Sequence, residues 1–169
     1  MKRPDSSWTI LAPRGRGSGA LSTDGDAVLD RTQIEAILPH REPFLLLDRV
    51  VELVPGEYAI AEKDILASDP VFRGHFPGYP VFPGVLQLEA LAQTGAVALL
   101  SEPDAQGKIV LFAGVDKVRF RRQVVPGETL RLETRLTERR GRIGKGEAKA
   151  FVGADLSCSG TLTFAVAER

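Results

Sequence analysis

His75 and Glu89 are the residues of this chain best suited to moving protons, and they stand fourteen residues apart. An imidazole titrates near neutral pH and can take a proton. A carboxyl group in an apolar setting has its pKa raised and can hold a proton to give away. His75 lies in a run punctuated by Gly74, Pro77, Gly78, Pro80, Pro83 and Gly84, which excludes regular helix and strand. Glu89 lies in the Leu- and Ala-rich run that follows, residues 85–100, which predicts a helix of about four turns. Pro83 and Gly84 suit its entry, because the first amides of a helix have no partner to lose. Free amides at Gly84 and Val85, at the positive end of the helix dipole, can polarise a carbonyl oxygen. Gly84 has no side chain to keep that carbonyl away. One stretch thus offers a base, an acid and an oxyanion donor.

The helix is apolar on nearly every face, the pattern of a buried central helix. It is too short and too polar to span a bilayer. Gln93 follows Glu89 by one turn and either orients it or bridges neighbouring backbone. Upstream, Asp30 and Gln33 have the spacing of a capping box, ahead of Ile34, Ile37 and Leu38 and a stop at Pro39. Residues 40–54 read as extended and apolar, Pro55 and Gly56 as a turn, and residues 58–65 as a returning strand. Downstream, residues 108–122 are strand-like, and Leu130, Leu132, Thr134 and Leu136 alternate with polar neighbours. Ala148, Ala150 and Val152 lead through a Gly153 turn to Leu156, Cys158, Leu162, Phe164 and Val166, which share one parity. Several antiparallel strands and one apolar helix predict an α+β domain, its curved sheet wrapped around the helix.

Residues 74–93 read GHFPGYPVFPGVLQLEALAQ and meet every fixed position of G-H-F-P-G-x-P-x-x-P-G-x-x-x-x-E-A-x-A-Q. This resembles the active-site segment of the beta-hydroxyacyl-ACP dehydratases of bacterial type II fatty-acid synthesis. LPHREPFLLLDRV, residues 38–50, resembles the opening signature of the same enzymes. The likeness runs from about Leu38 to Phe164, with Glu128 departing from the Asp common there. It implies a hotdog fold and loss of water from a (3R)-hydroxyacyl thioester carried on acyl carrier protein. It also implies His75 and Glu89 as the catalytic pair, drawn from different subunits of a homodimer, with the Gly84 amide on the thioester oxygen. A trimer of dimers stays open, as does the division of acid and base duties. No metal or redox cofactor is implied. Phe76, Phe82 and Phe112 either line an acyl tunnel or fill core. Lys117, Arg119 and Arg121 alternate along one strand and, with Arg122, either steer an acidic carrier or guard a sheet edge. His40 reads as structural, bonded to neighbouring backbone or exposed.

The rest of the sequence sets bounds. Lys and Arg balance Asp and Glu at 22 each, so no global field recruits nucleic acid or membrane. Cys158 is the single cysteine, which excludes an intrachain disulfide and suits a reducing cytosol. Residues 1–29, rich in Arg, Gly and Pro, read as a flexible extension before a single domain over residues 30–169. The competing readings are a thioesterase or acyl-CoA hydratase on the same fold, and an inactive binding module. Isomerisation of the product is disfavoured, since isomerising relatives typically carry Asp where Glu89 stands.

Overall fold

The computed structural model describes residues 27–168. The expected N-terminal extension therefore lies outside the described residues except for its last three. Of these, Val28 and Leu29 already donate their amides to Val50 O, so attachment to the sheet precedes Asp30. Helix α1 (Arg31–Ile37) begins on the predicted capping box: the Asp30 carboxylate accepts from Gln33 N while the Gln33 carboxamide accepts from Asp30 N. It ends at Leu38, since the residue before a proline is pushed out of helical geometry.

Residues 40–48 are not the strand the apolar run suggested. Strand β1 spans only Arg49–Val54. The segment before it is irregular, and Leu45, Leu46 and Leu47 are buried by loop packing. Strands β2 (Tyr58–Asp64), β3 (Ile109–Phe120), β4 (Thr129–Arg140), β5 (Ile143–Val152) and β6 (Asp155–Ala167) complete one six-stranded sheet in the order β1-β2-β4-β5-β6-β3. Every neighbouring pair is antiparallel.

Helix α2 (Gly84–Leu100) touches five of these strands, β2 through β6. Strands lie about 4.8 Å apart, so a helix about 10 Å across can reach five only if the sheet curls around it. That is the hotdog arrangement. The alternation read in β4 holds: Leu130, Leu132 and Thr134 are buried against the helix. Closest approach is at Gly95, where an added Cβ would lie 2.7 Å from Thr134 Cγ2, and the Thr134 hydroxyl donates to Leu91 O at 2.7 Å. Ala90, Leu91 and Val97 fill the centre with Ile34, Leu47, Ala61 and Leu132. Cys158 is buried there too, and burial pushes its thiol up to about 11, so it stays protonated and inert.

Candidate active site

His75 is fixed by its own loop. Its Nδ1 lies 2.7 Å from Val81 O, and Val81 N donates back to His75 O at 3.1 Å. A carbonyl only accepts, so in the neutral ring Nδ1 carries the proton and Nε2 keeps the basic lone pair. Phe76 stacks on the imidazole at 4.1 Å between centroids, across a cis His75–Phe76 peptide, with half its surface exposed. His75, Gly84, Val85, Gln87 and Arg121 line one cavity at the start of α2. The first amides bonded within the helix are those of Leu86 and Gln87, both to Pro83 O. Those of Gly84 and Val85 come before them, at the positive end of the dipole.

Gly84 has a second reason to be bare, one the sequence did not suggest. A Cβ there would meet ring atoms of Phe120 at 2.8 and 2.9 Å. The missing side chain admits Phe120 from the end of β3, and Gly84 still lines the His75 cavity.

Glu89 faces a second cavity that shares no lining residue with the first. It runs down α2 past Ala92, Ala96 and Leu99. Glu89 Oε1 accepts from Gln93 Nε2 at 2.9 Å, and the same nitrogen donates to Phe44 O at 2.8 Å. Gln93 Oε1 accepts from Leu46 N at 2.9 Å. Gln93 thus does both things the sequence left open: it holds the carboxylate and bridges backbone. His40 Nε2 lies 3.6 Å from the same Glu89 oxygen. Its ring stacks on Phe44, and its Nδ1 is buried without a partner. Burial holds the His40 pKa below the ordinary imidazole value, partly offset by the Glu89 charge, so the ring is neutral at neutral pH.

His40 is the residue that sequence reasoning misplaced. It is neither bonded to nearby backbone nor freely exposed; it lines the Glu89 cavity. The available signal was its place in LPHREPFLLLDRV, a stretch whose likeness to the family was noted without asking what its histidine faced.

The remaining candidates divide. Phe112 lines the Glu89 cavity. Phe82 is 2% exposed, packs edge-on against Phe72, and belongs to the core while also forming a wall of the His75 cavity. The alternation assumed for Lys117 and Arg119 is broken by a bulge: the β3–β6 register shifts between Asp116 and Arg119, and Lys117 takes φ 53. Arg121 stands at the His75 cavity. Arg122 donates twice to Glu128, at 2.7 and 3.0 Å, and so is not a free docking charge. The departure at Glu128 clamps the Pro126–Gly127 turn to β3's end, and Arg122 in turn holds the Glu128 carboxyl below the usual range.

Comparison with known proteins bears on what such a site does. Residues 38–160 match the FabA-like domain family. A 3-hydroxyacyl-(acyl-carrier-protein) dehydratase FabZ of Moorella thermoacetica is 57% identical over 141 residues, 83% of this chain and 99% of that protein. The protein of the same name from Staphylococcus carnosus is 58% identical over 141 residues, 83% of this chain and 97% of that protein. Among solved structures, a chain of the dehydratase heterocomplex ApeI:P from Xenorhabdus doucetiae superposes with a TM-score of 0.70 at 18% identity, over 80% of this chain and 91% of that one. A hypothetical thioesterase with coenzyme A from Streptococcus pneumoniae gives 0.54 at 10% identity, over 72% of this chain and 86% of that one. At those identities the structural likeness is one of fold.

Proposed function

The chain belongs to the FabA-like family, and from that premise we propose that it is a (3R)-hydroxyacyl-acyl-carrier-protein dehydratase. It is a hydro-lyase that converts a 3-hydroxyacyl thioester to the trans-2-enoyl thioester in fatty-acid elongation. His75 Nε2 takes a proton from C2. The electrons of that C–H bond form the C2–C3 double bond as the C3–O bond breaks. Glu89 gives its proton to the departing hydroxyl, which leaves as water. The amides at Gly84 and Val85 hold the charge that builds on the thioester oxygen. Gln93 keeps Glu89 aimed at C3.

The observation that carries this reading is the separation of the two halves. Base and amides line one cavity, acid and hydrocarbon slot line another, and in one chain they share no wall. A second copy unites them. Strand β3 is an open edge of the sheet and carries exposed Leu111, Phe112, Val115 and Phe120. An uncovered apolar edge strand invites pairing with another edge. A homodimer joined through β3 hides these side chains and brings the His75 of one copy to the Glu89 of the other.

The acyl group arrives on the phosphopantetheine of acyl carrier protein. Arg121 at the cavity, with Lys117 and Arg119 nearby on β3, suits an acidic carrier. Among the described residues no helix is long and apolar enough to cross a membrane, and we place the reaction in the cytosol. The test is to offer the purified chain 3-hydroxybutyryl-ACP and the matching CoA ester. Enoyl product, read by absorbance or mass, supports the lyase. Free acid with free thiol identifies a thioesterase instead.

A further inference from the structure

One oxygen of Glu89 is approached by two nitrogens. Gln93 Nε2 donates to Oε1 at 2.9 Å, and His40 Nε2 lies 3.6 Å from the same atom. Among the described residues no hydrogen bond or ion pair engages the other oxygen, Oε2. An oxygen that accepts from N–H groups is a poor place for a carboxyl proton, because hydrogens would then face each other. The proton of the acid form therefore belongs on Oε2.

The surroundings of His40 decide what its ring can offer. Burial keeps the ring neutral at neutral pH, so one nitrogen carries a hydrogen and the other a lone pair. Nδ1 is buried without a partner. A proton there would bury a donor with no acceptor, which folded proteins rarely tolerate. A proton on Nε2 instead aims the donor at Glu89. The ring is steadied from behind by stacking on Phe44, whose carbonyl accepts from Gln93 Nε2 at 2.8 Å. His40, Phe44 and Gln93 thus close a circuit of contacts around one carboxyl oxygen. At 3.6 Å, Nε2 and Oε1 stand just outside hydrogen-bond reach, and contacts of this kind often tighten only when substrate binds.

We propose that His40 is a positioning residue for the dehydration: its Nε2–H, beside that of Gln93, holds Glu89 Oε1 and keeps the transferable proton on Oε2, toward the departing hydroxyl. The inference rests on the dehydratase reading. The same two N–H groups receive the charge left on Glu89 once its proton has gone.

The experiment measures kcat and KM of full-chain variants on 3-hydroxybutyryl-ACP, with circular dichroism to confirm folding. His40→Phe keeps a ring on Phe44 but offers no donor; kcat should fall about ten- to a hundredfold while KM stays within about twofold. His40→Gln places an amide N–H near the position of Nε2 and should return kcat to within about fivefold of wild type. His40→Asn is equally polar but one bond shorter, and should stay as low as the Phe variant. The Gln–Asn contrast gives a reading where the Phe variant does not fold. A folded Phe variant with wild-type kcat, Gln and Asn variants that behave alike, or a loss confined to KM overturns the role of His40 alone. A wild type that forms no enoyl product overturns the dehydratase reading, and the role of His40 falls with it.

Discussion

The two cavities along α2 differ in kind. The one at the helix start is the larger, about 510 Å³, and is bordered by His75, Gly84, Arg121 and Arg122. The one farther along is about 50 Å³ and, beyond His40, Glu89, Gln93 and Thr134, almost wholly apolar. The first can meet a charged carrier and a polar thioester; the second can hold a hydrocarbon. One helix serves both because its amides are free only at its start, while its small residues Ala92 and Ala96 line the space farther down. On the proposed reading, one folded chain holds two half-sites, which become a whole only by association.

The sharpest way to break that comparison is to disable each half in turn. His75→Ala and Glu89→Gln should each lower kcat by about a hundred- to ten-thousandfold while circular dichroism and thermal melts stay near wild type. Mixed after co-refolding, the two dead variants should regain activity. In a random two-fold dimer half the molecules are hybrid, and each hybrid holds one intact site, so roughly a quarter of wild-type turnover should return. Recovery of nothing would mean that both groups act from a single chain.

Gln93→Ala probes the second half alone. It removes the bond that aims Glu89, and a misaimed group costs about ten- to a hundredfold in kcat. It also leaves the Leu46 amide without its partner, so the melt should fall by the equivalent of about 1–3 kcal/mol. Arg121→Ala probes the first half. KM for an ACP substrate should rise up to about fivefold, the worth of an exposed ion pair, and the effect should fade with salt. KM for a CoA ester should be less affected.

The smallest effect concerns pH. Burial holds the folded pKa of His40 below its unfolded value of about 6.5, so the unfolded chain takes up the proton first. Stability from this residue is intact above that pH and is lost as pH falls through the folded value. His40→Phe keeps a ring on Phe44 but cannot be charged. The fall in melting temperature between about pH 8 and about pH 5 should be shallower in that variant by a few degrees at most.

What the sequence made legible was whatever is decided locally. Prolines and glycines announced the His75 loop, an apolar run announced α2, and strict alternation announced β4 and β6. Residues 40–48 misled because three consecutive leucines look like a strand when their backbone partners are unknown. Those partners are on Gln93, forty-seven and forty-nine residues away. His40 was misjudged for the same reason, its neighbour Glu89 being distant in the chain. The alternation read through Lys117 on β3 is interrupted because period-two reasoning assumes no bulge, and one lies between Asp116 and Arg119. At Gly84 the approach of Phe120 from the end of β3 was not legible, since the two are distant in the chain.

One carboxamide carries a consequence for how the protein can be disturbed. Because Gln93 grips Glu89 with the same nitrogen that grips Phe44 O, the acid and the segment around residues 44–46 form a single mechanical unit. On the proposed reading, a change that displaces residues 44–46 carries the Glu89 carboxyl with it, so that loop and the reacting group answer to the same push.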